Sequence, residues 1–198
     1  MKDAKRNHNC SMSQILVLLK PDAIQGGHCR TIIERLRASG FEIAEIRSGT
    51  PDRELVLQHY AHLATYGPGV LQRNADFLCD GTVVMLVVKG EIAALRKLTG
   101  ATDPSKAAPG TIRREYSTDS IAQAEAEQRG LRNVMHASDS DETAAREIQL
   151  WRQHFVARPA SSREREASLD TSATIWTGSG ADHSPSCANK AQNEDETI

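Results

Sequence analysis

The stretch Asn133-Val134-Met135-His136-Ala137-Ser138-Asp139-Ser140 is the most informative part of the chain. An apolar pair leads straight into a histidine, and small and hydroxyl-bearing residues follow it. The next segment, 141–151, begins with two acidic residues and has helical spacing, and acids favour a helix N-terminus. A strand end, a histidine and a helix N-terminus in this order form a natural setting for a reactive imidazole.

Apolar runs and alternating patterns predict the strands around this stretch. They lie at 14–20, 41–47, 82–89 and 131–135, with a last short strand at 151–155. Helical spacing predicts helices at 28–39, 50–63, 70–78, 91–98 and 141–151, and a polar helical insert or mobile arm at 120–130. Pro21 is expected to end the first strand in a turn, and 101–114 is expected to be a loop. The most apolar segment, 82–89, is the best candidate for a central strand.

This order of elements predicts an α/β (α+β) fold. A four-stranded antiparallel sheet with helices on one face, of the split βαβ kind, fits it. A parallel doubly wound sheet is the competing topology. No glycine-rich dinucleotide fingerprint or P-loop follows any of the predicted strands, which weakens the parallel alternative.

The composition predicts one folded domain between two tails. Of the 198 residues, 39% are hydrophobic and only 4% are aromatic, which indicates that part of the chain is not core. Residues 1–12 are polar and are expected to be a disordered N-terminal segment. Residues 157–198 show no sustained apolar pattern and are expected to be a low-complexity, mostly disordered C-terminal tail. The segment 13–156 is then a single domain of ordinary size.

The charge and the cysteines exclude several classes of protein. A net charge of −2 gives no general attraction to nucleic acid or to anionic membranes. No apolar run approaches the ~20 residues that span a bilayer, and the N-terminus lacks the apolar segment of a secretory signal. Four cysteines without CxxC spacing indicate reduced thiols rather than a disulfide framework. We therefore expect a cytoplasmic protein without specific nucleic-acid or membrane partners.

Several residue groups could together bind a polyphosphate. They supply cations, a hydroxyl and an imidazole with polar neighbours: Lys20, Arg96, Thr102, Arg113, Asn133, His136, Ser138 and Glu147. Phosphoryl transfer depends mainly on charge neutralisation and positioning, and a neutral imidazole is a competent nucleophile near pH 7. Taken singly, each group has a simpler explanation. A histidine at a strand end is more often structural, and Lys20 could extend its amine to solvent from a strand end.

A metal site and a hydrolase are weaker alternatives. His8, Cys10, His28 and Cys29 have a spacing that matches no zinc pattern. No nucleophile elbow surrounds Ser138, which argues against ester hydrolysis by a serine–histidine pair.

The motifs taken in order resemble the nucleoside diphosphate kinase family. Besides 133–140, they are Lys20-Pro21-Asp22-Ala23, Gly100-Ala101-Thr102-Asp103-Pro104, Pro109-Gly110-Thr111-Ile112-Arg113 and Glu147-Ile148-Gln149-Leu150-Trp151. The resemblance covers about residues 13–155. The asparagine, histidine, serine and aspartate of the 133–140 block are highly specific for this family.

The resemblance implies a ferredoxin-like sandwich and a ping-pong reaction. The γ-phosphate of a nucleoside triphosphate would pass to a nucleoside diphosphate through a phosphohistidine. By position, His136 matches the nucleophile, and Glu147 and Ser138 match the residues that hold its imidazole. The implied nucleotide-binding residues are Lys20, Arg96, Thr102 and Arg113 for phosphate, Asn133 for the sugar hydroxyl, and Tyr60 near the active site. Mg²⁺ would bridge the phosphates without protein ligands, and the assembly would be a homo-hexamer or homo-tetramer.

The chain departs from the family pattern where an aromatic residue usually stacks on the base. The segment reads Tyr66-Gly67-Pro68-Gly69-Val70-Leu71, so Tyr66, Val70 or Leu71 is expected to line the base site. The segment 117–131 is also longer than the common loop. An active kinase of broad nucleotide specificity is the first interpretation. The alternative is a nucleotide-binding or protein-interaction module of the same fold with weak or no kinase activity.

Overall fold

The computed structural model describes residues 12–157. Within this range, four antiparallel strands form one sheet: β1 Ser13–Leu19, β2 Glu42–Gly49, β3 Val83–Gly90 and β4 Met135–Ala137. The strand order is β2-β3-β1-β4, so the two most apolar strands lie in the centre. β1 pairs with β3 along its whole length and with β4 only over 17–19. This order and the antiparallel pairing confirm the ferredoxin-like sandwich and exclude the parallel doubly wound sheet.

Helices cover both faces of the sheet rather than the one face expected. The described helices are α1 Pro21–Gln25, α2 Cys29–Ala38, α3 Arg53–His59, α4 Val70–Cys79, α5 Ile92–Thr99, α6 Ile112–Tyr116, α7 Ile121–Ala126 and α8 Asp141–Ala157. Two 3-10 helices lie at Ala61–Tyr66 and Pro104–Lys106.

Both cores follow from the alternation of side chains along β1. Ile15, Val17 and Leu19 pack on one face against α2, α5 and α6. Leu16 and Leu18 pack on the other face against α3, α4 and α8. Because neither face of β1 meets water, the strand is apolar at every position from 15 to 19.

Several predicted boundaries were wrong, and each has a local cause. The expected strand at 151–155 is the continuation of α8, because Ile148 and Trp151 keep a helical apolar stripe facing the core. The strand expected at 131–135 begins only at Met135, because Val134 has a φ of +58° and interrupts extended backbone. Pro21 begins the short helix α1 instead of a turn, since proline suits the first helical position.

Two further elements differ from the sequence prediction. The helix expected at 50–63 divides into α3 and the 3-10 helix that follows it. The expected loop at 101–114 contains a 3-10 turn and the start of α6. The predicted tails, 1–12 and 157–198, lie almost entirely outside the described residues, so their disorder stays a prediction.

The insert at 117–131 folds around one buried carboxylate. Asp119 is 7% exposed and accepts hydrogen bonds from both terminal guanidinium nitrogens of Arg129, at 2.6 and 2.8 Å. The backbone N–H of Arg132 donates to the same carboxylate at 2.9 Å. These bonds close the loop on itself and hold α7, so the segment is a helical insert rather than a mobile arm.

Candidate active site

His136 lies in the middle of β4, opposite Leu18 of β1. Its Nε2 lies 3.0 Å from Oε2 of Glu147, which α8 directs toward the strand. The hydroxyl of Ser138 donates to the same carboxylate oxygen at 2.7 Å. A carboxylate only accepts hydrogen bonds, so His136 carries a proton on Nε2, and Nδ1 of the neutral ring holds a free electron pair. The serine hydroxyl donates to Glu147 and not to the imidazole, which argues against a serine–histidine hydrolase.

Burial controls the charge of this imidazole. Burial lowers the pKa of His136 below its usual value, and the hydrogen bond and charge of Glu147 oppose this shift. The nearby charges of Lys20 and Arg113 lower the pKa further. The ring is therefore neutral at pH 7, the form in which a nitrogen can act as a nucleophile.

Lys20 and Asn133 link the end of β1 to the loop before β4. The Lys20 Nζ donates to Asn133 Oδ1 at 2.7 Å, and Asn133 Nδ2 donates to the Thr102 carbonyl at 2.9 Å. Lys20 is only 5% exposed. Burial lowers its pKa to about 8, while the charge of Asp22 raises it and that of Arg113 lowers it. The site therefore contains a buried amine whose charge would be stabilised by an incoming anion.

Arg113 enters the site from the first turn of α6. Its two terminal nitrogens donate to the carbonyls of Gly100, at 3.1 Å, and Met135, at 2.9 Å. Its Nε is buried and has no partner in the part of the chain that the structure describes. Gly100 has a φ of +88°, and a Cβ there would lie 2.5 Å from the Thr111 hydroxyl, so only glycine fits. Burial lowers the pKa of Arg113 to about 10.

Tyr60 forms one wall of the site. Its ring centroid is 5.8 Å from that of His136, and Lys20 Nζ lies 5.8 Å from the Tyr60 centroid. The hydroxyl is buried and has no hydrogen-bond partner within residues 12–157, and burial raises its pKa above the usual value. A neutral phenol is thus available as a donor to a ligand.

The structure brings most of the predicted residues together, but not all of them equally. Thr102 contributes its backbone carbonyl, and its side chain is exposed. Arg96 is exposed on α5 and acts on Arg113 through its charge. Tyr66 is 73% exposed at the end of a 3-10 helix. Val70 and Leu71 are half-buried in the first turn of α4.

Sequence reasoning missed the role of Asp22 in the site. Its Oδ2 accepts the backbone N–H of Val134 at 2.8 Å, and the Val134 carbonyl accepts from the Lys20 backbone at 2.8 Å. Val134 is β-branched, and at a φ of +58° its backbone is strained. The signal in the sequence was the short spacing of Asp22 from Lys20, which places both beside the same loop.

His59 was also missed. It lies at the end of α3, is 1% exposed, and its ring centroid is 4.6 Å from that of His136. The only sequence signal was a polar residue on the apolar face of a helix, directly before Tyr60.

The side chains favour an anion over a metal ion. Ligand atoms of His59, His136 and Glu147 lie within 4.8 Å of one another. However, Trp151 donates to Nδ1 of His59, and the buried cations Lys20 and Arg113 lie nearby. His8 and Cys10, considered for a zinc site, lie outside the described residues.

A neutral, oriented imidazole surrounded by cations on a ferredoxin-like fold defines a phosphotransferase. The family model for nucleoside diphosphate kinase matches residues 13–155. A nucleoside diphosphate kinase of Synechococcus elongatus is 38% identical over 144 residues, which cover 71% of this chain and 87% of the relative. One from Pyrococcus furiosus is 40% identical over 142 residues, covering 71% of this chain and 83% of the relative.

A solved structure agrees with these relatives. It is a transition-state mimic of the Borrelia burgdorferi nucleoside diphosphate kinase with bound vanadate and ADP. It is 29% identical with a TM-score of 0.68, covering 71% of this chain and 87% of that one. The chain therefore belongs to the nucleoside diphosphate kinase family. Its reaction is the transfer of a γ-phosphate from a nucleoside triphosphate to a nucleoside diphosphate through a phosphohistidine. These comparisons give no support to a module without kinase activity.

Proposed function

We propose that His136 is the histidine that carries the phosphate and that Nδ1 is the atom phosphorylated. The observation that carries this proposal is the 3.0 Å hydrogen bond from Nε2 to Glu147, which leaves the Nδ1 electron pair free. In the first half-reaction, Nδ1 forms a bond to the γ-phosphorus while the bond to the bridging oxygen breaks. The nucleoside diphosphate leaves with that electron pair. The second half-reaction reverses these steps with another diphosphate.

Glu147 and Ser138 are proposed to hold the imidazole throughout this cycle. The ring gains positive character as the N–P bond forms, and the carboxylate at Nε2 stabilises that charge. Ser138 donates to the same oxygen and restricts the carboxylate to one orientation. Both side chains are nearly inaccessible to solvent, at 2% and 1% exposed. The low local dielectric strengthens the stabilisation.

The cations are proposed to hold the polyphosphate in line with Nδ1. Lys20 and Arg113 would neutralise charge on the transferring group, and the exposed Arg96 would meet the outer phosphate oxygens. The unpartnered Tyr60 hydroxyl and the Thr102 hydroxyl would donate to phosphate. Asn133 would contact the sugar hydroxyl. Mg²⁺ would bind through the phosphates of the nucleotide and neutralise their charge, without a protein ligand.

The base is proposed to stack at the outer end of the site. Tyr66, Val70 or Leu71 would form this platform, and the high exposure of Tyr66 makes its ring accessible for stacking. Stacking uses the π-face that every base has, so we propose broad nucleotide specificity.

We propose that the chain forms a homo-hexamer or homo-tetramer, and the outer edge of the sheet supports this proposal. In the described part of the chain, β2 is an edge strand of the sheet, and Ile46 on this strand is 46% exposed. An edge strand with an exposed apolar residue suits pairing with a second copy. Among the described residues, no helix is long and apolar enough to cross a membrane. The free thiols of Cys29 and Cys79 support the proposed cytoplasmic location.

Labelling with γ-³²P-ATP tests the assignment of His136. The wild-type protein should become labelled and should pass the label to GDP, whereas His136→Ala should remain unlabelled. His154→Gln is the matched control, because it also removes a histidine. This histidine lies near the end of α8 and contacts Asp52, which is not one of the proposed site residues. Equal labelling of the His136→Ala protein would overturn the assignment.

A further inference from the structure

The protonation pattern of His59 is set by a tryptophan from another helix. Trp151 of α8 is fully buried, and its Nε1–H donates to Nδ1 of His59 at 3.2 Å. An indole nitrogen can only donate, so Nδ1 must be an acceptor and the single proton of the neutral ring lies on Nε2. Nε2 has no partner among the described residues.

This pattern matters because Nδ1 of His59 faces Glu147. Nδ1 lies 3.7 Å from Oε1 of Glu147, while Oε2 of the same carboxylate receives His136 and Ser138. A proton on Nδ1 would donate to Oε1 and draw negative charge away from Oε2. His136 would then share the carboxylate with a second imidazole. The hydrogen bond from Trp151 prevents this competition.

We propose that Trp151 and His59 are positioning residues that keep the Glu147 carboxylate available to His136. Trp151 holds His59 in the tautomer that cannot donate to Glu147. His59 then fills the space beside the carboxylate, and its ring stands edge-on to His136 at 78°. Neither residue contacts a phosphate in this scheme. The proposal rests on the assignment of His136 as the nucleophile.

The charged groups around His59 and His136 agree with a neutral His59. Burial is the main cause that lowers the pKa of His59 well below its usual value, and the neighbouring His136, Arg146, His62 and Lys20 lower it further. His136 itself acts on His59, and the other titratable and charged groups that act on one or both imidazoles are Glu147, Lys20, Arg113, Arg146 and His62. Only Glu147 among them favours a protonated imidazole at His136.

The direct test is ¹⁵N NMR of the imidazoles in the full-length protein. In the wild type, His59 should carry its proton on Nε2, a result that needs no variant. In Trp151→Phe, a fraction of His59 should move its proton to Nδ1. The pKa of His136 should then fall, because Glu147 supports its protonated form less strongly. A wild-type His59 protonated at Nδ1 would overturn the proposal.

Steady-state kinetics distinguish a positioning role of Trp151 from a mere loss of packing around it. For Trp151→Phe we expect kcat to fall by roughly fivefold, about the effect of weakening one hydrogen bond, with KM for nucleotide unchanged. The acidic limb of the pH–rate profile should move to lower pH. Phe155→Leu is the matched control: it removes a ring that packs on Trp151 but leaves the indole N–H bonded. This control should lower thermal stability without moving the pH limb or the tautomer.

Two outcomes distinguish this proposal from the assignment of His136. If His136 is the labelled residue but Trp151→Phe changes neither the tautomer nor the pH limb, the positioning proposal fails alone. If another residue is labelled, the assignment of His136 fails. The proposed positioning role of Trp151 and His59 then fails as well, whatever the tautomer of His59.

Discussion

Replacing Asp22 tests how the strained loop before β4 is held. The Asp22 carboxylate accepts the N–H of Val134, a residue that is 1% exposed and has a φ of +58°. The N–H of Met135 also bonds to the Asn133 carbonyl at 2.7 Å, which closes a tight turn around Val134. A β-branched residue in this conformation costs roughly 1–3 kcal/mol, so the surrounding bonds must hold it in place.

Asp22→Ala should lower the free energy of unfolding by about 3 kcal/mol. The loss of a charged hydrogen bond to a buried N–H contributes roughly 1.5–3 kcal/mol. The loss of an acid in the first turn of α1 contributes about 0.3–1 kcal/mol more. For a domain of this size, a loss of about 3 kcal/mol corresponds to a fall in Tm of roughly 6–12 °C. Asp22→Asn keeps a carbonyl acceptor and should lose only about 1 kcal/mol.

The same change should also affect catalysis, because the loop carries Asn133 on one side and His136 on the other. We expect kcat of Asp22→Ala to fall at a temperature where the protein is still folded. Calorimetry and steady-state kinetics on the alanine and asparagine variants give both measurements. The reasoning would be refuted if Asp22→Ala melted at the wild-type temperature, or if the asparagine variant were as unstable as the alanine variant.

Two further predictions concern buried ionisable groups, the amine of Lys20 and the carboxylate of Asp119. Because burial lowers the pKa of Lys20 to about 8, the free enzyme loses this charge as pH rises through 8. The wild-type kcat/KM should therefore fall above pH 8, and Lys20→Arg should show no such fall; parallel profiles would contradict this. Arg129→Ala removes the guanidinium that satisfies the buried Asp119, so urea unfolding should show a loss of about 2 kcal/mol. Labelling at His136 should be unchanged in that variant, and an unaltered urea midpoint would show that the pair does not hold the insert.

Local patterns predicted the central strands well and the element ends poorly. The unbroken apolar runs of β1 and β3 identified two strands buried on both faces. The end of α8 was missed because Trp151 and Phe155 fit either a strand or the buried stripe of a helix over so short a segment. Trp151 is buried between α3 and the sheet, and this burial favours the helical conformation of the segment. The start of β4 was missed because no local pattern shows a positive φ at a valine.

By itself, the sequence predicted which residues carry the chemistry: His136, Glu147, Ser138 and the cations, which appear in ordered motifs. Only the tertiary structure decided how these residues are arranged around the imidazole. Trp151 and His59 are 92 positions apart and meet through one hydrogen bond, and Asp22 reaches Val134 across 112 positions. Such contacts depend on how α1, α3 and α8 pack on the sheet. Packing is a property of the whole chain, so spacing within any one segment does not reveal it.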